Sequence, residues 1–575
     1  MTTEDQSFDN ISLLYPAGSF SASWAGFSEL SPAVWHDLGL DQIVSAFTGN
    51  RDHQKEIQKI LVRLIHDPEV LHYRQDILDD LWQHPQLVDQ FAALLPVIES
   101  LTSFSYHLER EKGQNLLHEV TWRLGELQNI IDCLEGLGTM LLEVKDTLAS
   151  QGLQRLLEAV LQIRATPVYR NLAQELPELL AAMRVCASIT IGINLDIQLR
   201  PFEATLLSIN DKPFTGQSLL TKLFGLGKEN VGLAPLHSIP QGQDQGHDVH
   251  VSRNSGWALA PMLVPLFADL SKVLEKSTRP VVNRLKQYAE FQSKLFNNLR
   301  PGLVFYLSAV RFLRNLQAQG LPVCRPSIVA LEERLCRVQD AYNVNLAFQR
   351  GSHSREQNPP APTQVNDIEI GPGGQILILT GPNQGGKTTY MVGVGLVQVL
   401  AQVGCFVPGK QAQISPVDNI FTHFPVEEKP DTETGRFGEE ALRLGKIFEQ
   451  VTRHSLVLLN ESLSSTGFTE GLYLAQDVVR ILRRIGARAI YSTHLYELGN
   501  HVEELNQSVP GDSRIISVVS SPVENGSPAS QTELKRSYKV ESRPPLGQSY
   551  AREIAARYGI HYEQLEKALS ERGVL

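Results

Sequence analysis

The sequence predicts a multidomain protein of the α + α/β class, in which a mostly helical region precedes a domain with a parallel sheet. From Leu38 to about Ile163, apolar residues recur at helical spacing. Beyond residue 366, strands and helices alternate, which is typical of a parallel α/β sheet. A third observation is the alternation of apolar and polar residues from Ile189 to Leu199, which predicts a half-buried strand inserted into the helical region.

These patterns divide the chain into four parts. An N-terminal segment (1–37) precedes the helical region (38–350). That region contains a small β insertion and a mobile loop at about 189–256, since its later part is rich in Gly, Gln, His and Asn. A proline-rich linker (351–365) then leads to the α/β domain (366–575).

The composition is that of a folded protein with several hydrophobic cores. The 575 residues are 42% hydrophobic and 20% charged, which excludes a fibrous or disordered chain. The formal net charge of −11 restricts any nucleic-acid contact to a local basic patch. The five cysteines are scattered and never at metal-ligand spacing, and no secretory signal or membrane-spanning stretch is visible. We therefore expect a cytoplasmic protein.

The most specific motif lies between the apolar strand at 375–379 and the helix that begins near Tyr390. It matches a phosphate-binding loop in sequence and in context. Glycines let successive backbone N–H groups face phosphate oxygens, and the helix offers its positive N-terminal end to the same charge. Lys387 is predicted to reach the β- and γ-phosphates, and Thr388 to ligate Mg²⁺. The ATP-binding residues are predicted to be Gly381, Pro382, Asn383, Gln384, Gly385, Gly386, Lys387, Thr388 and Thr389.

A second strand of such a domain should end in a carboxylate that holds Mg²⁺, next to a residue that activates water. The strand at 455–459 is followed by Asn460 and Glu461, so an amide stands where the metal carboxylate is expected. An amide oxygen lacks the carboxylate's charge and should hold Mg²⁺ less firmly, which leaves ATP hydrolysis an open question. Glu461 remains the candidate base. His494, after the strand at 489–493, is a further catalytic candidate beside Lys387 and Glu461.

Several motifs in the α/β domain resemble the MutS family of DNA mismatch repair ATPases. The loop Thr380 to Thr389 is closer to the MutS nucleotide loop than to a generic one. The helical region resembles the MutS core more loosely, at 67–69 and 73–75. Further matches follow in the family's order at 404–408, 417–422, Glu461, Thr466, Gly471, 474–475, 492–494, 497–498 and 547–550.

The resemblance implies a helical core and lever domain, then an ABC-like P-loop NTPase domain with a C-terminal helical dimerisation segment. It implies ATP and Mg²⁺ as ligands, DNA as a partner, and a homodimer that closes on DNA. The strand at 189–199, with a second strand at 204–209, becomes the candidate remnant of the family's DNA clamp. The spacing in Phe27-Ser28-Glu29 resembles the family's mismatch wedge, but no α/β domain surrounds it, so we expect no mismatch-reading domain.

In the family, a loop of the partner subunit completes each ATP site, and here that loop is predicted at 434–440. Arg436 and Phe437 would make the contact in trans, although Arg436 replaces the family's serine. A second departure follows Glu461, where the family's glycine-arginine-glycine-threonine run is replaced by Leu463-Ser464-Ser465-Thr466. The alternative for residues 434–440 is a glycine-rich turn with a solvated arginine.

Three functional hypotheses follow. The first is a DNA-dependent ATPase of mismatch repair or recombination. The second is an ATP-binding switch or scaffold that hydrolyses little and binds a protein partner, which Asn460 and the altered loop favour. The third, a transporter-type ATPase subunit, is disfavoured because the transporter signature sequence is absent. The arginines at 480, 483, 484 and 488 suggest a DNA patch, but a solvated helix face explains them more simply.

Overall fold

The chain folds into two compact units, and each is described by itself. In the computed structural model, unit 1 comprises residues 1–95, 140–156 and 298–575, and unit 2 comprises 96–139 and 157–297. The residues that the structure describes are 11–17, 26–110, 116–184, 188–195, 197, 201–210, 212, 281, 284–285, 288, 294–352, 363–382, 385–425, 435–522, 536–545 and 559–574.

The helices before the central sheet follow the predicted periodicity, and several have a side-chain N-cap. Asn50 accepts hydrogen bonds from the amides of Asp52 and His53, and Asp67 accepts one from Glu69. The helices are α1 (Pro32–Asp37), α2 (Leu40–Phe47), α3 (Arg51–Leu61), α4 (Pro68–Gln83), α5 (Pro85–Arg110), α6 (Leu116–Glu143), α7 (Gln151–Ala165), α8 (Pro167–Arg184), α9 (Lys294–Ala318) and α10 (Val344–Ser352).

The later helices accompany the central sheet or follow it along the chain. They are α11 (Lys387–Gln402), α12 (Arg436–Phe448), α13 (Phe468–Ile485), α14 (Tyr496–Asn500), α15 (Val502–Ser508) and α16 (Tyr562–Glu571). No helix within the described residues combines the length and apolar character needed to cross a bilayer.

Unit 2 contains the β insertion that the alternating pattern predicts. The strands β3 (Ser188–Leu195) and β4 (Pro201–Asn210) pair antiparallel, with Ile189 opposite Ile209. The first strand ends at Leu195, four residues before the predicted end. Elsewhere in the unit, Leu127, Leu172 and Leu176 form part of a buried apolar cluster. Residues 213–256, which include the predicted mobile loop, lie outside the described residues.

Unit 1 is built on a six-stranded sheet in the order β12-β13-β14-β9-β15-β16. The first five strands are parallel and β16 is antiparallel. The mixed α/β architecture expected from the alternation of strands and helices is therefore present. The strands are β9 (Ile376–Thr380), β12 (Ile420–His423), β13 (Leu456–Asn460), β14 (Arg488–Ser492), β15 (Ile515–Pro522) and β16 (Arg536–Ser542).

Both faces of the central sheet are covered, because side chains alternate along each strand. Ile378, Val457 and Leu459 on one face belong to a core that also contains Val479 of α13. On the other face, Leu458 lies against Gly395 of α11. Strands buried on both faces read as continuous apolar runs, which is why β9 and β13 carry no polar alternation. The sheet thereby brings the carboxyl ends of β9, β13 and β14 to one edge.

Smaller β elements complete unit 1. β1 (Phe27–Glu29) pairs antiparallel with β2 (Arg63–Ile65), and a four-stranded sheet has the order β6-β11-β7-β8. The Arg63 guanidinium lies 5.0 Å from the Phe27 ring centroid, so this ring has an intramolecular contact. The remaining strands are β5 (Val323–Cys324), β6 (Ser327–Ile328), β7 (Cys336–Ala341), β8 (Asn366–Ile370), β10 (Val407–Pro408) and β11 (Gln411–Ile414).

Candidate nucleotide-binding site

The loop between β9 and α11 contains two positions with positive φ, a backbone conformation that glycine adopts more readily than other residues. Gly381 has φ 146° and Gly386, the N-cap of α11, has φ 91°. A Cβ atom on Gly381 would lie 2.8 Å from the Ser520 carbonyl oxygen, so a side chain has no room there. The Gly385 amide donates to the Pro382 carbonyl at 3.1 Å, which closes a tight turn. Asn383 and Gln384 lie outside the described residues.

Lys387 folds back over this loop from the first position of α11. Its Nζ donates to the carbonyl oxygens of Gly381 at 3.0 Å and Pro382 at 3.1 Å. The residue is only 4% exposed, and burial lowers the pKa of its ammonium to about 8, an effect that the charge of Glu461 partly opposes. No carboxylate among the described residues forms an ion pair with it. A buried ammonium of this kind is poised to meet an anion.

Ser520 is a site residue that sequence reasoning missed. It lies on β15, is fully buried, and its hydroxyl donates to the Gly385 carbonyl. This contact fixes the loop from a strand that follows it by more than a hundred residues. No motif marks the position, so only the sheet order reveals it. The position of Thr389 is also fixed by a hydrogen bond, because its backbone carbonyl accepts from the Asn343 side-chain Nδ2 at 3.0 Å.

Thr388 and Asn460, the two predicted Mg²⁺ ligands, lie within hydrogen-bond distance of each other. The Thr388 hydroxyl donates to the Asn460 Oδ1 at 3.2 Å, across the gap between α11 and β13. Both are oxygen donors of the kind that Mg²⁺ takes alongside water and phosphate oxygens. Neither is charged, so the pair fits a cation held largely by the phosphates. Within the described part of the chain, no group of three or more His, Cys, Asp or Glu side chains could hold a metal ion.

Glu461 and His494 also come together at this edge of the sheet. The His494 Nε2 lies 2.7 Å from the Glu461 Oε1, and both side chains are about one-third exposed. The hydrogen bond from His494 lowers the pKa of Glu461, against the opposing effect of burial. The Glu461 side chain is therefore an ionised carboxylate that the His494 imidazole orients. It lies close enough to Lys387 to raise the pKa of the Lys387 ammonium. Such a carboxylate can orient a water molecule or accept a proton from it.

The predicted trans contacts lie on the first turn of α12. Arg436 begins that helix and Phe437 follows it, 39% exposed. Their approach to a second subunit remains a prediction. Residues 547–550, the last motif of the resemblance, lie outside the described residues.

Arg488 turns out to be neither a DNA contact nor part of a solvated helix face. It opens β14, is 1% exposed, and donates to four carbonyl oxygens. Burial lowers its pKa to about 10. Arg483 likewise donates to the carbonyls of Val509 and Ser513. Arg488 therefore fits neither expectation. Arg483 does lie on a helix face, that of α13, where it is partly buried.

Family models match both parts of the chain. The model of MutS domain V matches residues 377–570, which contain the loop, Asn460, Glu461 and His494. The model of the MutS2 N-terminal domain matches residues 66–319. This chain belongs to the MutS family. The residues matched by the domain V model include every predicted site residue. The resemblance to the MutS family that the sequence motifs indicated is therefore confirmed.

Curated relatives in the MutS family agree with these models. The proteins named DNA mismatch repair protein MutS from Brevibacillus brevis, Chloroflexus aurantiacus and Synechococcus elongatus are 40%, 28% and 33% identical over 152, 298 and 229 residues. The matches cover 26%, 49% and 39% of this chain. They cover only 18%, 30% and 26% of the relatives, so less than a third of each relative is represented.

Proposed function

We propose that this MutS-family chain binds ATP with Mg²⁺ in the loop between β9 and α11. The observation that carries the proposal is the Lys387 ammonium, which is buried and, among the described residues, donates hydrogen bonds only to carbonyl oxygens. Burying a cation without a counter-charge is unfavourable, and phosphate oxygens would supply that charge. The N-terminal amides of α11 point to the same place and add their own positive potential.

We propose further that the bound ATP is hydrolysed. Thr388 and Asn460 would hold Mg²⁺, which when bound neutralises charge on the phosphates. Glu461 would orient the attacking water and accept its proton, while His494 holds the carboxylate by their hydrogen bond. Lys387 would stabilise the charge that develops on the γ-phosphate. The neutral Asn460 predicts a slow reaction that needs more Mg²⁺ than an aspartate site does.

The biological role that we propose is DNA mismatch repair or recombination, in which ATP closes a homodimer on DNA. Family membership supports it, and so do the relatives named DNA mismatch repair protein MutS. Phe437 on an exposed helix turn is available for the partner-subunit contact that the family implies. With a net charge of −11, DNA would be held by local patches of the protein. If the protein neither hydrolyses ATP nor binds DNA, the function that remains is a nucleotide-gated scaffold for a protein partner.

The first test is equilibrium binding of a fluorescent ATP analogue with Mg²⁺ to the wild type, Lys387→Ala and Lys410→Ala. Lys410 is the matched control, since its ammonium is exposed and pairs with Asp340 at 2.7 Å. We expect binding to fall by at least about tenfold in Lys387→Ala, the loss of one charge-assisted contact. Binding should be unchanged in Lys410→Ala. Equal binding by all three proteins would sink the ATP proposal.

The DNA proposal is tested by titrating duplex and branched DNA at several salt concentrations, with and without ATP. Phosphate contacts make the affinity fall steeply as salt rises. Light scattering on the same samples gives the mass, which should double with ATP if the homodimer closes. A chain that binds no DNA at low salt and keeps one mass would favour the scaffold.

A further inference from the structure

The loop after β13 holds an unusual backbone at the candidate base. Glu461 has φ 52° and Leu463 has φ 66°, a left-handed conformation that residues with a Cβ rarely adopt. Each such residue is held at a cost of about 1 kcal/mol or more, so it persists only where neighbouring groups fix it. What holds this loop therefore decides where the Glu461 carboxylate lies.

One carboxylate from α12 holds two points of the loop. The Glu440 Oε1 accepts a hydrogen bond from the Leu463 amide at 2.6 Å, and its Oε2 accepts one from the Ser465 hydroxyl. Hydrogen bonds to an ionised carboxylate are about twice as strong as neutral ones. Glu440 is thus the direct restraint on the residue with the most positive φ in this loop.

His423 supplies a second tie between the same helix and the loop. Its Nε2 lies 3.2 Å from the Glu440 carbonyl oxygen, which can only accept, so Nε2 carries the proton. Its Nδ1 then accepts from the Ser462 hydroxyl at 2.6 Å. Burial, followed by the charge of Arg443, lowers the pKa of His423 and so favours this neutral form. Tyr491 adds a donor to the Ser462 carbonyl at 2.7 Å.

We propose that Glu440 is a positioning residue for Glu461, fastening residues 461–465 to α12. The proposal rests on the proposed ATP hydrolysis, in which Glu461 orients water. Arg436 and Phe437 begin the same helix, one turn before Glu440. A contact that shifts this first turn would therefore move the Glu440 carboxylate and the loop with it.

The test compares the full-length wild type with Glu440→Ala, Glu440→Gln and Glu449→Ala. Glutamine keeps the size and the acceptor for Leu463. Glu449 lies exposed at the end of the same helix and is the control for a lost charge. Three quantities are measured: amide hydrogen exchange of peptides covering 461–466, affinity for an ATP analogue, and steady-state turnover. Exchange does not depend on turnover, so it separates the two proposals.

In Glu440→Ala we expect faster exchange at 461–466 and turnover lower by about 10- to 100-fold, the effect of a displacement near 1 Å. Nucleotide affinity should stay within about twofold, since the loop around Lys387 is untouched. Glu440→Gln should retain most of the turnover, and Glu449→Ala all of it.

Unchanged exchange in Glu440→Ala would overturn the proposal, whatever the turnover. So would a parallel loss of ATP affinity, which indicates a general structural role. If the wild type itself has no turnover, the hydrolysis proposal fails, and exchange alone decides whether Glu440 fastens the loop.

Discussion

Leu463 has a buried side chain that stabilises the fold and a left-handed backbone that destabilises it. Two substitutions can separate these effects. Its side chain is 4% exposed within the core beneath the central sheet, while its φ of 66° is left-handed. Leu463 stands where the resemblance to the MutS family implies the first glycine of a glycine-arginine-glycine-threonine run. The leucine side chain thus gains stability from apolar burial, while the left-handed backbone at the same residue costs stability.

The magnitudes predict an unusual order of stability. Removing a buried leucine side chain costs about 2–5 kcal/mol. Leu463→Ala keeps the strain, about 1–2 kcal/mol for a residue with a Cβ. Leu463→Gly removes that strain and adds roughly 0.5–1 kcal/mol of glycine entropy. Both variants should be less stable than the wild type, with the glycine variant more stable than the alanine variant by roughly 0.75 kcal/mol, the difference between the midpoints of those two ranges.

Urea unfolding followed by fluorescence gives the free energies of unfolding of the wild type and both variants. Ala441→Gly on α12 is the control, since Ala441 is exposed in a regular helix. There glycine should be worse than alanine by about 0.5–1 kcal/mol. If glycine is also worse than alanine at 463, the reasoning about strain is refuted.

Three further predictions concern charged and metal-facing groups. Burial lowers the pKa of Lys387 to about 8 and bound phosphates would raise it, so ATP affinity should be full below pH 8 and fall above it, by up to about tenfold per pH unit. Calorimetric titration across this range checks it, and a flat profile contradicts it. Asn460→Asp should lower the half-saturating Mg²⁺ concentration for ATP binding by at least about tenfold, because it adds a charge beside the Thr388 hydroxyl; an unchanged Mg²⁺ dependence would count against this metal pair. Arg488→Met should destabilise unit 1 by about 2–6 kcal/mol, since the carbonyls of Pro416 and His454 lose their buried donor at roughly 1–3 kcal/mol each. A variant whose free energy of unfolding in urea stays within about 1 kcal/mol of the wild type, under the minimum of roughly 2 kcal/mol expected, would refute that role.

Much of the fold was predictable because its signals are local. The apolar runs of β9 and β13 mark strands buried on both faces, and the alternation at 189–195 marks a strand with one polar face. The loop from Gly381 to Lys387 was predictable because its chemistry requires a fixed order of residues. The contact of Thr388 with Asn460, and that of Glu461 with His494, follow from parallel strands whose carboxyl ends lie at one edge of the sheet.

The long-range contacts were not predictable. Ser520 reaches Gly385 only because β15 pairs with β9, and no spacing in the sequence announces that pairing. Glu440 contacts Leu463 through a helix whose position depends on packing against the sheet. Arg488 shows the converse: four arginines close in sequence resemble a patch, yet one begins a buried strand.

Measuring phosphate release with Mg²⁺ from the wild type, Glu461→Gln and the control Glu449→Gln decides whether ATP is hydrolysed with Glu461 as the base. Glutamine preserves the size of residue 461 but cannot accept a proton from water. We expect phosphate release from the wild type and the control, and a rate lower by about 100-fold or more in Glu461→Gln, which should still bind ATP. Equal phosphate release from all three proteins, or none from the wild type, would contradict it.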